Sequence, residues 1–219
     1  MPERSPHTDV PRAGRRAHRV WARPIARVLS IGLHPFVVAP VLAFLVATPH
    51  AASQATGGPS ALGAPTAVAA AVTVCLVAPL GVLTWWQVRR GAWETVDASR
   101  PRDRPILFGV ALGALLALGI ALAVLAPTSP VAASLPWVGA LVVGCAVLTR
   151  WIKLSLHLLV AALAAVVLLA RAPALGAGLL ATLPALGWSR VALERHRWAE
   201  VFVGTIVGAL AGLLLRHVA

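Results

Sequence analysis

A chain of 219 residues that is 59% hydrophobic and 12% charged has too little polar surface for a soluble globular protein. Its net charge of +12 comes from 18 Arg and one Lys against seven acids. These charges flank apolar stretches and form no continuous basic face, which argues against nucleic acid and for anionic lipid headgroups or phosphate esters as partners.

Residues 1–28 are polar, Arg-rich and without hydrophobic periodicity, which predicts a disordered basic tail. Residues 29–219 then make one transmembrane domain. Its apolar runs fall at roughly 29–48, 67–88, 105–126, 131–149, 154–170, 172–188 and 199–215, each about long enough to span a bilayer. The runs are continuous where strands would alternate, and open sheet edges do not persist in lipid, so helices are expected. The expected fold is all-α, a polytopic transmembrane bundle of six to seven spans. The first run decides the number: Ala51-Ala52-Ser53 after it would suit a signal peptide, whereas its long basic leader favours a retained helix. Pro35, Pro40, Pro136, Pro173 and Pro184 interrupt or bound the runs. Gly109, Gly113, Gly119, Gly204 and Gly208 would allow helices to approach closely, the last two as a Gly-x-x-x-Gly pair. Cys75 and Cys145 lie inside apolar runs and indicate neither a disulfide nor a metal site.

Charge is distributed unevenly between the two ends of the spans. Residues 1–28, 89–104, 150–153 and 189–198 share one side and carry 17 of the 19 Lys and Arg. The opposite loops, 49–66 and 127–130, contain no charged residue. The positive-inside rule puts the N-terminus and the charged loops in the cytoplasm of what the composition suggests is a bacterial plasma membrane. Trp85, Trp86, Trp93, Trp151, Trp188 and Trp198 cluster near that boundary and read as an interfacial aromatic belt.

Three charged segments on this side carry chemistry. Ser189-Arg190 is followed by His196 and Glu200 at the start of the last run. If a helix begins near Arg195, His196 and Glu200 are one turn apart, and the carboxylate can hold one ring nitrogen as N–H while the other attacks. Lys153, Ser155 and His157 stand at the mouth of the fifth run, and Arg104-Pro105 at the mouth of the third. Two spans separate each segment from the next, which returns all three to the same face. His34, beside Pro35, reads as structural.

These residues resemble the type 2 phosphatidic acid phosphatase (PAP2) superfamily of membrane lipid phosphatases, over about residues 90–210. The family pattern is roughly Lys-x6-Arg-Pro, Pro-Ser-Gly-His and Ser-Arg-x5-His-x3-Asp. Ser189, Arg190 and His196 match the third part, with Glu200 where Asp is usual. Ser155 and His157 match the second, with Leu154 and Leu156 in place of Pro and Gly. Arg104-Pro105 matches the first, with Asp97 at the lysine position, either as partner of an arginine such as Arg100 or as a solvated loop acid.

The resemblance implies a PAP2-like core and a phosphatase acting on a lipid phosphate or pyrophosphate of the polyprenyl phosphate, phosphatidylglycerophosphate or phosphatidate class. His196 would form a phosphohistidine, Glu200 would orient it, and His157 would protonate the leaving oxygen and then activate water. Arg104, Arg190 and Lys153 would neutralise the phosphoryl oxygens, with Ser155 and Ser189 adding donors. No metal or other cofactor is implied. The alternative, drawn from the altered first and second motifs, is a catalytically degenerate relative serving as a lipid-binding or assembly factor. A transporter would need ionisable residues within its spans, and these spans are almost free of them.

Overall fold

All seven apolar runs lie on helices in a computed structural model of the protein, which describes residues 13–48, 63–95 and 103–217, with side chains from Ala22 onward. Asp97 and Arg100 fall outside those residues. The helices are α1 (Ala13–Gly32), α2 (Pro35–Ala47), α3 (Gly63–Arg89), α4 (Arg104–Leu125), α5 (Pro130–Leu148), α6 (Leu156–Arg171), α7 (Pro173–Ala192) and α8 (Trp198–Leu215). All regular structure among the described residues is helical.

Among the described residues five segments are long and apolar enough to cross a membrane: Ala22–Ala47, which joins α1 to α2, and α3, α4, α5 and α8. The protein therefore has the character of an integral membrane protein. At 16 residues α6 is ~24 Å long, short of the ~30 Å hydrocarbon core. Gly, Pro, Ser and Arg dilute the apolar content of α7.

Proline placement explains several boundaries. Pro35, Pro130 and Pro173 stand at the first turn of α2, α5 and α7, where a missing N–H costs no helical bond. Within α3, Pro79 has no N–H to give and its ring crowds the carbonyl four residues back. The helix widens over Thr73–Val77 into a π-turn, with the N–H of Ala78 bonding the carbonyl of Thr73. Pro40, Pro136 and Pro184 are accommodated inside their helices.

The short helix α6 is the axis of the bundle. Ten of its residues are buried, on every side of the helix, and α2, α7 and α8 pack around it. Its parallel neighbour α8 approaches along Gly204, Gly208 and Gly212, which face Ser155, Leu159 and Leu163. A Cβ at Gly204 would lie 2.5 Å from the Ser155 carbonyl oxygen. One residue, Ala172, joins α6 to the antiparallel α7, and Gly176 sits directly against the backbone of Leu169. At the far end Arg171 donates 2.6 Å to the Val46 carbonyl, one of the acceptors left over at the C-terminus of α2.

Three expectations are corrected. The tail predicted to be disordered through residue 28 is helical from Ala13. Small residues one turn apart, Ala26 and Ser30, seat this helix against α7, and both are buried. The glycines divide: nothing lies within 4 Å of a Cβ built at Gly109 or Gly113, so these are not close-approach positions. Among the tryptophans, Trp85, Trp86, Trp151, Trp188 and Trp198 are exposed, whereas Trp93 is buried at 4% and its N–H bonds the Gln87 carbonyl. Arg89 and Arg90 lie over the rings of Trp85 and Trp86, at 4.7 and 3.9 Å from the centroids.

Candidate active site

The starts of α4, α6 and α8 and the end of α7 meet at one end of the bundle. Backbone bonds fix their register. The N–H of Ser155, just before α6, donates 3.1 Å to the Glu200 carbonyl in the first turn of α8. Lys153 Nζ donates 2.8 Å to the Arg195 carbonyl, and Arg104 Nη1 donates 3.2 Å to the Leu154 carbonyl and 3.4 Å to Thr149 Oγ1. Residues 42 to 50 positions apart in sequence thus converge.

Between α7 and α8 the chain doubles back over its own helix end. The carbonyl of Arg190 accepts the N–H of Arg195 at 3.0 Å and of His196 at 3.3 Å. Glu194 makes the turn at φ 59°, a left-handed conformation that costs a non-glycine residue about 1 kcal/mol or more. Its carboxylate lies 3.5 Å from Arg23. The turn carries His196 back beneath Arg190, so the two sit at the same depth.

His196 Nδ1 is 2.7 Å from Glu200 Oε2. A carboxylate at that distance accepts, so Nδ1 holds the proton and Nε2 presents its lone pair. Glu200 also accepts the Arg197 N–H at 3.4 Å, which satisfies a first-turn donor of α8. The one carboxylate both caps the helix and orients the ring. Burial is the main cause that lowers the His196 pKa from its ordinary 6.5; Arg190 and Lys153 lower it further, and Glu200 opposes them. The imidazole is accordingly neutral at pH 7, as a nucleophile must be.

These groups open onto a cavity of about 310 Å³ between α2, α3, α4, α5 and α6. Its site end is lined by His34, Arg104, His157, Arg190 and His196. The rest is almost wholly apolar, with Leu42, Leu76, Phe108, Leu115 and Val167 among its walls, interrupted by Thr84, Ser134 and Cys145. Both His157 and Val167 of α6 line it, which gives a depth of ~15 Å. Arg104 and Arg190 are each 1% exposed, and His157 at 5% stands in the first turn of α6, whose N-terminus favours anions. An anionic head with an apolar tail matches this shape and polarity.

The structure brings Arg104, His157, Arg190 and His196 to the cavity wall, with Glu200 behind His196. It does not bring Lys153, Ser155 or Ser189 there. Lys153 ties down the α7–α8 turn. Ser189 Oγ donates 2.7 Å to the Leu186 carbonyl of its own helix, the usual recourse of a serine inside a helix. Ser155 Oγ is fully buried and has no hydrogen-bond partner among the described residues.

Sequence reasoning missed Ser30, whose Oγ accepts 2.6 Å from Arg190 Nη1, and the role of His34, whose ring lies 4.7 Å from that of His157. A signal for His34 existed: it is an ionisable residue at the mouth of an apolar span, on the same face as the three motifs. Comparisons with protein-family models, with curated proteins and with solved structures find no match to this chain.

Proposed function

We propose that this protein is a membrane-embedded phosphatase of lipid phosphates or pyrophosphates, related to the type 2 phosphatidic acid phosphatase superfamily. One observation carries this reading: three histidines and two buried guanidiniums line one end of a cavity that is otherwise almost wholly apolar. The phosphate head would lie between Arg104 and Arg190, and the tail along α2, α4 and α5.

His196 Nε2 attacks phosphorus, the bond to the leaving oxygen breaks, and protonated His157 gives that oxygen its proton. The guanidiniums stabilise charge on the non-bridging oxygens as it shifts. Neutral His157 then takes a proton from water, the water oxygen attacks phosphorus, the P–N bond breaks, and inorganic phosphate leaves with His196 regenerated. In the bilayer, α6 and α7 form a short hairpin that completes seven crossings, and the site faces the cytoplasm. With seven crossings and the N-terminus inside, a reporter fused after Ala219 is active on the outer face; activity only in the cytoplasm overturns this topology.

The functional test is phosphate release by purified protein from polyprenyl phosphate, phosphatidylglycerophosphate and phosphatidate in detergent. Release from at least one is expected, with the acid limb of kcat/KM below pH 6.5 because burial depresses the His196 pKa. Glu200 raises that pKa, so Glu200→Gln moves the limb lower still while slowing the reaction. The substrate's own ionisation would leave the limb unmoved. No release from any substrate favours the degenerate lipid-binding reading, which the positions of Lys153, Ser155 and Ser189 away from the cavity also support.

A further inference from the structure

We infer that the α1–α2 junction is part of the active site, with Ser30 positioning Arg190 and His34 positioning His157. This rests on the phosphatase reading and adds a fourth chain segment to its three motifs.

Ser30 occupies the last turn of α1, 160 residues from Arg190, and the two are 7% and 1% exposed. A guanidinium buried so deeply needs its plane held by acceptors, and the 2.6 Å bond to Ser30 Oγ supplies one from a different element. Ala26, one turn earlier and fully buried, brings α1 near enough to α7 for that bond.

The helix then breaks, because Pro35 forces the residue before it out of the helical region. His34 is extended, at φ −67° and ψ 141°, and its Nδ1 accepts the Phe36 N–H at 3.1 Å as the N-cap of α2. Capping needs only a small acceptor, and Asn, Asp or Ser would serve. The imidazole brings more. With Nδ1 an acceptor, the proton stays on Nε2, so the ring keeps one tautomer and takes no second proton without losing the cap.

That fixed ring meets His157 at 4.7 Å between centroids, with planes 87° apart. The other charged or titratable groups on the cavity wall with His157 are Arg104 from α4, Cys145 from α5, Arg190 from α7 and His196 from the α7–α8 turn, with Glu200 of α8 behind His196. Among them the His34 ring, fixed by its cap bond, lies edge-on to His157 and holds the plane of the ring proposed to transfer the proton. It also lines the cavity beside the two histidines assigned above.

Two His34 variants separate capping from positioning. Asn keeps an acceptor for Phe36 and removes the ring; Phe keeps an aromatic edge beside His157 and removes the acceptor. His34→Asn is expected to lower kcat roughly ten-fold or more with little change in KM or thermal midpoint. His34→Phe is expected to lower the midpoint and retain most of kcat. Ser30→Ala should raise KM roughly five-fold by loosening Arg190, with Ser30→Thr restoring it. A second readout needs no turnover: the ring resonances of His157 in histidine-labelled protein in micelles should shift in His34→Asn and stay in place in Ser30→Ala. A shift in protein that releases no phosphate supports the contact and counts against the phosphatase reading alone. Wild-type kcat together with unmoved His157 resonances in His34→Asn reduces His34 to a helix cap, and an unchanged KM in Ser30→Ala removes Ser30; either result overturns that half of the proposal.

Discussion

Replacement of His196 by alanine is expected to lower phosphate release by on the order of 10⁴-fold or more, because it removes the atom proposed to bond to phosphorus. The fold should survive. Among the described residues the ring makes one side-chain hydrogen bond, to Glu200, and that carboxylate keeps the Arg197 N–H after the ring is gone. Loss of one bond to a charged group is worth about 1.5–3 kcal/mol. His196→Asn keeps an amide donor for Glu200 and serves as the control for folding, since it restores the bond and not the nucleophile. Acid quenching of protein incubated with radiolabelled substrate should destroy the label on wild type, and alkaline quenching should preserve it, as a phosphoramidate bond requires. Equal phosphate release by wild type and His196→Ala would remove the nucleophile assignment.

The second large effect lies away from the chemistry. Gly208→Leu is expected to destabilise the protein by about 3 kcal/mol or more and to abolish activity with it. A Cβ at this position runs into the carbonyl and Cα of Leu159, which are α6 backbone and have no rotamer to yield. Leucine is a good helix former, so the loss cannot be assigned to helix propensity. The helices must part, and the bonds from Ser155 to Glu200 and from Lys153 to Arg195 pass that displacement to the site. A shift of about 1 Å between His157 and His196 would cost roughly 10²-fold in rate even in molecules that stay folded. Gly109→Ala and Gly113→Ala are the contrast. They meet nothing within 4 Å, and each should be neutral or stabilising by up to about 1 kcal/mol. Thermal midpoints in detergent read both predictions. A wild-type midpoint for Gly208→Leu would contradict the backbone packing described for α6 and α8.

The helices were legible because each apolar run is continuous and bounded by charge or proline. The His196–Glu200 pair was legible from its spacing, but the expected helix start near Arg195 was wrong: α8 begins at Trp198, and the extended chain at Arg197, not a helical turn, folds the ring against Glu200. The meeting of Arg104, His157 and His196 was expected from the even number of apolar runs between them. The fate of Lys153, Ser155 and Ser189 did not. Which way a hydroxyl points depends on the rotation of its helix about its own axis, and α4, α6 and α7 have no polar stripe to reveal it. The same lack of a stripe hid the difference between Gly208, pressed on Leu159, and Gly113, which has open space beside it.

Composition and periodicity by themselves thus determined that this is a helical membrane protein with one heavily charged end, and that this end holds a histidine–carboxylate pair beside an arginine. These are properties of local spacing and of transfer between water and lipid, and neither depends on which helices are neighbours. Tertiary structure decided which groups share the cavity: Arg104, Arg190 and both motif histidines on its wall, the serines and Lys153 in its frame, and Ser30 and His34 brought in from the first helices. Contacts across 160 residues leave no periodic trace in a chain that is apolar almost everywhere. They exist because glycine-lined helices pack at backbone distance and carry their buried polar groups into register.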